Sequence, residues 1–223
     1  MPCTVNSMSG LEGDIWRFMD DDGVRDVRDY FHSGRYSGAH FNELRGGGDR
    51  EETKNYFEAD DLLAVSMLSV VIPRDTCWEI LESRREALHD LLKLIPVAVT
   101  LWDDESLRLW IGRDKPGWKL WADLVHDKTE GITGVGWVTA NKLLARKRPE
   151  LFPVYDQVVK AALQPHSRNF WEPLREDLRK EQNKAVKRLQ AIRQEAGVPE
   201  VPLLRVLDVA VWMREWGRGP EQP

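Results

Sequence analysis

Residues 131–144 have the sequence GITGVGWVTANKLL, and residues 151–160 have the sequence LFPVYDQVVK. The glycines stand between two helical patterns and predict a tight turn, because glycine adopts backbone conformations that other residues avoid. A turn of this kind can direct backbone N–H groups outward beside a helix N-terminus, where they bind phosphate. The stretch therefore predicts a helix-hairpin-helix within residues 118–148 that holds a DNA backbone without reading its sequence.

The rest of the chain shows helical patterns almost throughout, with no repeated alternation of apolar and polar residues. We therefore expect an all-α protein. Residues 1–57 are acidic and rich in glycine, and they are predicted to form a loop-rich cap with one short helix. Residues 58–216 are predicted to form the helical core, and residues 217–223 a disordered tail.

Three further patterns define the predicted core. Asp60 is a good N-cap for a helix over residues 61–72 that is apolar on every face, and a second helical stretch covers residues 74–95. A long amphipathic helix is followed by a last helix over residues 203–216 that is apolar almost all round. In this last helix we expect Asp208 to pair with Arg205, three residues earlier, rather than to act as a second active-site acid.

Composition and charge limit the function classes. The net charge is −5, but residues 1–110 carry 22 acidic and 12 basic side chains, whereas residues 111–223 carry 15 and 20. A polyanion is therefore expected to bind the C-terminal half. Two cysteines, and five histidines without metal-ligand spacing, predict neither a cofactor nor a metal. Because no apolar run is long enough to cross a bilayer and no signal segment is evident, we expect a cytoplasmic protein without a membrane partner.

Two neighbouring motifs resemble a known family. Residues 132–140 (ITGVGWVTA) match a Leu-Pro-Gly-Val-Gly-x-x-Thr-Ala hairpin, and residues 152–156 (FPVYD) match an apolar run that ends in an essential aspartate. Both patterns, at this spacing, are found in the helix-hairpin-helix base-excision DNA glycosylases, the superfamily of endonuclease III and the adenine-mismatch glycosylase. Over residues 118–163 the chain resembles a divergent bacterial member of that superfamily.

The resemblance implies a two-lobed helical fold, DNA as the partner and Asp156 as the catalytic residue. In such enzymes the target nucleotide is flipped out of the duplex, and the aspartate stabilises an oxocarbenium-like sugar or orients the attacking water. Bifunctional members use a hairpin lysine as a nucleophile, and Val138 stands at that position here. The implied chemistry is monofunctional hydrolysis of the N-glycosidic bond. Thr133 replaces the usual proline, and Trp137 stands where these enzymes often have a basic residue.

Several candidate residues have two interpretations. Asp156 could be catalytic or only a helix N-cap, and Trp137 is the candidate for stacking on a base. Two groups of cations, one at the end of a predicted helix and one along the long amphipathic helix, could line a DNA groove or simply face water. They are Lys142, Arg146, Lys147 and Arg148, and then Arg179, Lys180, Lys184, Lys187, Arg188 and Arg193. The residues that we expect to contact DNA are Thr133, Gly134, Val135, Gly136, Trp137, Thr139, Lys142 and Arg146.

Two other classes of function remain open from the sequence. The hairpin could belong to a DNA-binding module without catalytic activity, which requires only that the turn be exposed. Alternatively, the helical domain could bind a protein or a small ligand, which the acidic first half favours. The direction of the Asp156 side chain distinguishes an enzyme from a binding module.

Overall fold

The computed structural model describes residues 11–126, 131–165 and 170–216. This part of the chain is helical and contains no strand, only two isolated β-bridges, so the prediction of an all-α protein is confirmed. The predicted tail, residues 217–223, lies outside the described residues. The α-helices are α1 (Asp21–His32), α2 (Ala59–Ser66), α3 (Arg74–Trp78), α4 (Arg85–Leu92), α5 (Pro116–Leu124), α6 (Trp137–Lys147), α7 (Gln157–Leu163), α8 (Trp171–Glu195) and α9 (Leu203–Glu215).

Helix α9 forms the centre of the core. Every residue from Leu203 to Val211 is buried, as expected for a helix that is apolar almost all round. Neighbouring helices α1, α7 and α8 pack against it. The buried charges of α9 satisfy each other, because the Arg205 guanidinium donates to both Asp208 oxygens at 2.7 and 2.8 Å. The predicted Arg205–Asp208 pair is therefore confirmed.

The described part of the N-terminal segment, residues 11–57, contains one α-helix, α1, which packs on the core. It begins at the N-cap Asp20, whose side chain accepts the Gly23 N–H at 2.9 Å. The apolar face of α1 is buried against α9, and Asp26 of α1 pairs with Arg214 of α9 at 3.2 Å. Short 3₁₀ turns make up much of the remaining segment, at Ile15–Phe18, Ser37–His40 and Leu44–Gly46.

Helix α2 is shorter than the sequence predicted and begins at a different cap. Glu58, not Asp60, is the N-cap, and the Asp61 carboxylate accepts the Glu58 N–H at 2.9 Å. The helix ends at Ser66 rather than near residue 72. Its faces are not all buried either, since Leu63 is 54% exposed. A run of apolar residues therefore does not by itself show which side of a helix meets the core.

The predicted helical stretch over residues 74–95 is divided in three. Helix α3 passes into a π-helical turn at Glu79–Ser83, and α4 begins only after Arg84, whose φ and ψ are −111° and 8°. This break lets the Arg84 guanidinium donate to the Asp123 carbonyl of α5 at 3.0 Å. Helix α4 packs against α5, and α2 packs against α6.

The long helix α8 contains a break that no glycine or proline explains. Glu181, Gln182 and Asn183 have φ values of 49°, 57° and 62°, so three successive residues with side chains adopt the left-handed conformation. Each such residue costs about 1–2 kcal/mol relative to a right-handed helix. This stretch is therefore the place in α8 where glycine would be favoured.

We expect Gln182→Gly to raise the free energy of unfolding by about 1 kcal/mol, because glycine adopts a positive φ without steric cost. The exposed Gln190 lies in a regular part of the same helix, where the same replacement should instead lower stability by about 1 kcal/mol. Urea denaturation of both variants measures the two changes. Destabilisation by both replacements would contradict a left-handed conformation at Gln182.

Candidate nucleic-acid interface

The segment between α5 and α6, residues 131–136, forms a tight turn held against the end of α5. The Ile132 N–H donates to the Leu124 carbonyl at 3.2 Å, and the His126 N–H donates to the Val135 carbonyl at 2.9 Å. The side chains of Ile132 and Val135 are completely buried. These two apolar anchors hold the turn against the core, and they leave Thr133, Gly134 and Gly136 exposed.

Two glycines of this turn have different roles. Gly134 has a φ of +85°, and a Cβ atom there would lie 2.7 Å from Thr76 Oγ1 and 3.0 Å from Pro73. Thr76 in turn donates its hydroxyl to the Thr133 carbonyl at 2.5 Å, which joins the turn to α3. Gly136, in contrast, has a φ of −80°, and a Cβ atom there would meet nothing within 4 Å. Gly134 is thus required by packing, whereas Gly136 leaves open space beside the start of α6.

We expect Gly134→Ala to destabilise the protein by about 1–2 kcal/mol, through the positive φ and the contact with Thr76. Gly136→Ala should cost less than about 1 kcal/mol, because its effect is limited to a poorer N-cap. Thermal unfolding of the two variants tests this order. Equal losses would show that the turn is not packed against α3 as described.

Exposure separates the predicted DNA contacts into two groups. Thr133, Gly134 and Gly136 are exposed, and Trp137 is partly exposed. The N-cap of α6 is Gly136, which has no side chain to accept the first N–H groups of the helix. The side chain of Val135 is buried, and its N–H donates to the Ile132 carbonyl at 3.0 Å. Thr139 of α6 is buried as well, so these two predictions are corrected. At this turn, a ligand can therefore contact the exposed residues Thr133, Gly134 and Gly136, and the accessible part of Trp137.

Lys142 and Arg146 do not face a groove. Lys142 is 4% exposed and donates to the Leu68 carbonyl at 2.8 Å. Arg146 is 1% exposed and lies 3.1 Å from the Asp61 carboxylate. The remaining donors of Arg146 bind the backbone carbonyls of Phe41, Asn42 and Leu44. Neither cation can contact a DNA phosphate from these positions, so both predicted contacts are corrected.

Lys147 and Arg148, which follow on α6, are buried as well. Lys147 lies 2.5 Å from Asp61 and donates to the carbonyls of Gly48 and Thr53. Burial lowers the pKa of Arg148 to about 10. Its guanidinium binds the Asn55 side chain and the carbonyls of Lys54, Leu92, Ile95 and Lys147. We call Arg146, Lys147 and Arg148 the buried basic cluster. Its hydrogen bonds hold the loop after α1 and the end of α4 against the C-terminus of α6.

Asp156 is the N-cap of α7. One carboxylate oxygen, Oδ1, accepts the N–H groups of Val158 and Val159 at 3.0 and 3.1 Å. The other, Oδ2, lies 3.8 Å from the Lys142 ammonium, and the side chain is 19% exposed. Asp156 therefore caps α7, and part of its side chain remains accessible.

Aromatic side chains connect the turn to Asp156. The rings of Trp137 and Tyr155 lie 5.1 Å apart, and Tyr155 stacks on Phe170 with a centroid separation of 3.9 Å. Burial raises the pKa of Tyr155 to about 12. The ammonium of the exposed Lys160 lies over the Trp137 ring, 5.3 Å from its centroid. One face of the indole already has a neighbour, which limits the stacking on a base that the sequence suggested.

The cations of α8 are mostly paired within the protein. Arg179 binds Asp104 and the Trp102 carbonyl, and Arg188 lies 3.1 Å from Glu195. Lys180 pairs with Asp177, and Lys184 with Glu181. Lys187 is exposed. This arrangement does not support the prediction of a continuous basic groove along α8.

Two depressions lie on the surface of the described residues. One, of about 360 Å³, is lined mainly by α7 and the residues after it, including Gln157 and Lys160. The other, of about 450 Å³, lies between α1 and the end of α9. Neither is lined by Asp156. Among the described residues, no group of three His, Cys, Asp or Glu side chains could hold a metal ion.

These features define an all-helical protein in which an exposed glycine turn lies next to a capping aspartate. The family model described as "Family of unknown function (DUF6308)" matches residues 23–215, so the chain belongs to this family. Searches of curated proteins and of solved structures give no match. Within the described ranges, no helix has the length and apolar character needed to span a bilayer.

Proposed function

We propose that this protein binds duplex DNA through the turn at residues 131–136, and that α5, the turn and α6 act as a helix-hairpin-helix of the DNA glycosylase type. The observation that carries the proposal is the contact between Trp137, which directly follows the exposed turn, and Tyr155, which directly precedes Asp156; their rings lie 5.1 Å apart. Backbone N–H groups at a helix N-terminus favour an anion. A phosphate bound there would lie next to the carboxylate that the resemblance assigns to catalysis.

The proposed chemistry is monofunctional hydrolysis of an N-glycosidic bond in a two-lobed, glycosylase-type fold. A flipped nucleotide would approach Asp156, whose anionic oxygen would stabilise positive charge that develops on the sugar. Val138 supplies no amine at the hairpin position, so the hairpin itself provides no covalent intermediate. The reaction as proposed requires neither a metal nor strand cleavage.

A DNA-binding module without catalytic activity is the second candidate. Two observations support this candidate. Asp156 already caps α7 and pairs with Lys142, and it lines neither of the two surface depressions. In this alternative the exposed turn holds the DNA backbone, and Asp156 only stabilises α7. Both candidates share the same DNA-binding surface.

Replacing Gly136 provides the sharpest test of that surface. We expect Gly136→Asp to fold normally, because a side chain there meets open space and aspartate is a preferred N-cap. Its negative charge should weaken duplex binding at least about tenfold, because like charges would face each other across the contact. Gly136→Asn is the matched control, since it caps equally well and adds no charge.

Gel shifts at low salt with intact, nicked and abasic duplexes measure the affinities. Wild-type binding should also fall as salt rises, because phosphate contacts release counterions. If the wild-type protein binds none of these duplexes, DNA is not the partner. If the aspartate variant binds as tightly as the asparagine variant, the turn is not the binding surface.

A further inference from the structure

Lys142 is placed unusually for a lysine. It lies on α6 one turn after Val138, it is almost completely buried, and it donates to the Leu68 carbonyl at 2.8 Å. Its ammonium also lies 3.8 Å from Oδ2 of Asp156. Buried lysines are rare unless a partner compensates for the loss of solvation. The partners here are one carbonyl and the aspartate beside the proposed DNA-binding turn.

The other charged groups near Lys142 come from α9. Asp208 and Arg205 both act on it, but they form their own bidentate pair at 2.7 and 2.8 Å. Burial lowers the pKa of Lys142, and the Asp156 carboxylate opposes this effect more strongly than any other group. Arg205 lowers the pKa of Lys142 and Asp208 raises it, so the effects of this pair oppose each other and Asp156 is the strongest counter-charge to the ammonium.

We infer that Lys142 is a positioning residue for Asp156, an internal counter-ion that holds the carboxylate in a fixed orientation for the proposed hydrolysis. The two amides of α7 hold Oδ1, and the ammonium, itself anchored by Leu68, faces Oδ2. A carboxylate held on both oxygens needs little reorganisation when positive charge develops nearby. This inference rests on the proposed function.

The role differs from that of a nucleophile. The Lys142 side chain is 6% exposed and its ammonium is engaged by a carbonyl, whereas the Asp156 side chain is 19% exposed. A nucleotide sugar would therefore meet Asp156 first. Lys142 acts on the reaction only through the aspartate.

The test compares Lys142→Met, which removes the charge but keeps the length of the side chain, with Lys93→Met on the exposed surface at the end of α4. Base release from damaged duplexes is measured with the full chain as a function of substrate concentration. For Lys142→Met we expect kcat to fall about 10-fold to 100-fold with KM nearly unchanged. Lys93→Met should match the wild type, because Lys93 pairs only with the exposed Asp90 among the described residues.

Two further variants control for a loss of folding and for an effect that does not act through Asp156. Lys142→Gln retains a donor for the Leu68 carbonyl without the charge, and it carries the same expectations if Lys142→Met does not fold. Adding Lys142→Met to Asp156→Asn should cause no further loss of rate, because Lys142 acts through Asp156. An additional loss would overturn the inference.

Different experimental results would overturn the inference and the proposed function. If the wild type releases base and the Lys142 variants keep its kcat, the positioning role is overturned and the proposed function stands. If borohydride traps the wild type on DNA but not the Lys142 variants, Lys142 is a nucleophile and the positioning role is overturned. If the wild type releases no base from any substrate, both the enzymatic proposal and the inference are overturned.

Discussion

Replacing Asp61 with asparagine is expected to destabilise the protein by about 3–5 kcal/mol, which is a large part of the stability of a typical domain. Asp61 is completely buried and lies within 3.1 Å of Arg146 and 2.5 Å of Lys147. Without its charge, two buried cations would retain only carbonyl partners. The cost of burying an unpaired charge is much larger than the gain from a surface ion pair.

Urea denaturation of Asp61→Asn gives this energy directly, and the neighbouring Asp60→Asn is the matched control. Asp60 is partly exposed and lies 3.5 to 3.6 Å from Arg50 and Arg45, so its replacement should cost less than about 1 kcal/mol. A loss of less than about 1 kcal/mol for Asp61→Asn would show that the buried basic cluster does not depend on this carboxylate.

Replacing Asp156 with asparagine is expected to reduce base release by roughly two or more orders of magnitude, because the anion that stabilises the developing positive charge is lost. The same change should lower the free energy of unfolding by no more than about 1 kcal/mol, since asparagine is also a good N-cap. DNA affinity should remain close to that of the wild type. The comparison separates a catalytic residue from a helix cap.

The assay uses duplexes with deaminated, alkylated and oxidised bases, and it detects alkali-labile abasic sites after incubation with the protein. Asp20→Asn is the matched control, because Asp20 is the N-cap of α1 and lies away from the turn. Borohydride trapping should fail for the wild type, since Val138 cannot form an imine. Equal activity of wild type and Asp156→Asn would leave Asp156 as a cap and the protein as a binding module.

Local patterns predicted the fold class and the elements around the turn. Helix α6 was predicted from Trp137 to about Arg148, and the structure has it from Trp137 to Lys147. Its start follows a glycine-rich turn, and its end precedes Pro149 by two residues, so both boundaries depend on nearby residues. The buried character of α9 and its Arg205–Asp208 pair were predictable for the same reason.

The buried basic cluster could not be predicted in this way. Arg146 binds Asp61, 85 residues earlier, and three carbonyls more than 100 residues away. In the sequence, cations at a helix C-terminus predict a solvated helix end, because positive charge there complements the helix dipole. Their burial depends on a loop that folds back over them, and such long-range contacts leave no periodic pattern.

The candidate site was predicted in part. The spacing between the glycine turn and Asp156 identified two segments whose neighbouring residues, Trp137 and Tyr155, are in contact in the structure. Lys160 was missed, although it lies four residues after Asp156 on α7 and therefore on the same helix face. The roles of Lys142 and Arg146 were misassigned, because charge alone does not distinguish a ligand contact from a buried ion pair.

Hydrogen–deuterium exchange of the full chain, with and without a short duplex at low salt, tests the central claim most directly. If the turn beside Asp156 is the DNA-binding surface, peptides covering residues 131–139 and 157–163 should gain protection, while α1 and α9 should exchange as in the free protein. Protection confined to α1 and α9, or no change anywhere in the presence of excess duplex, would contradict the account.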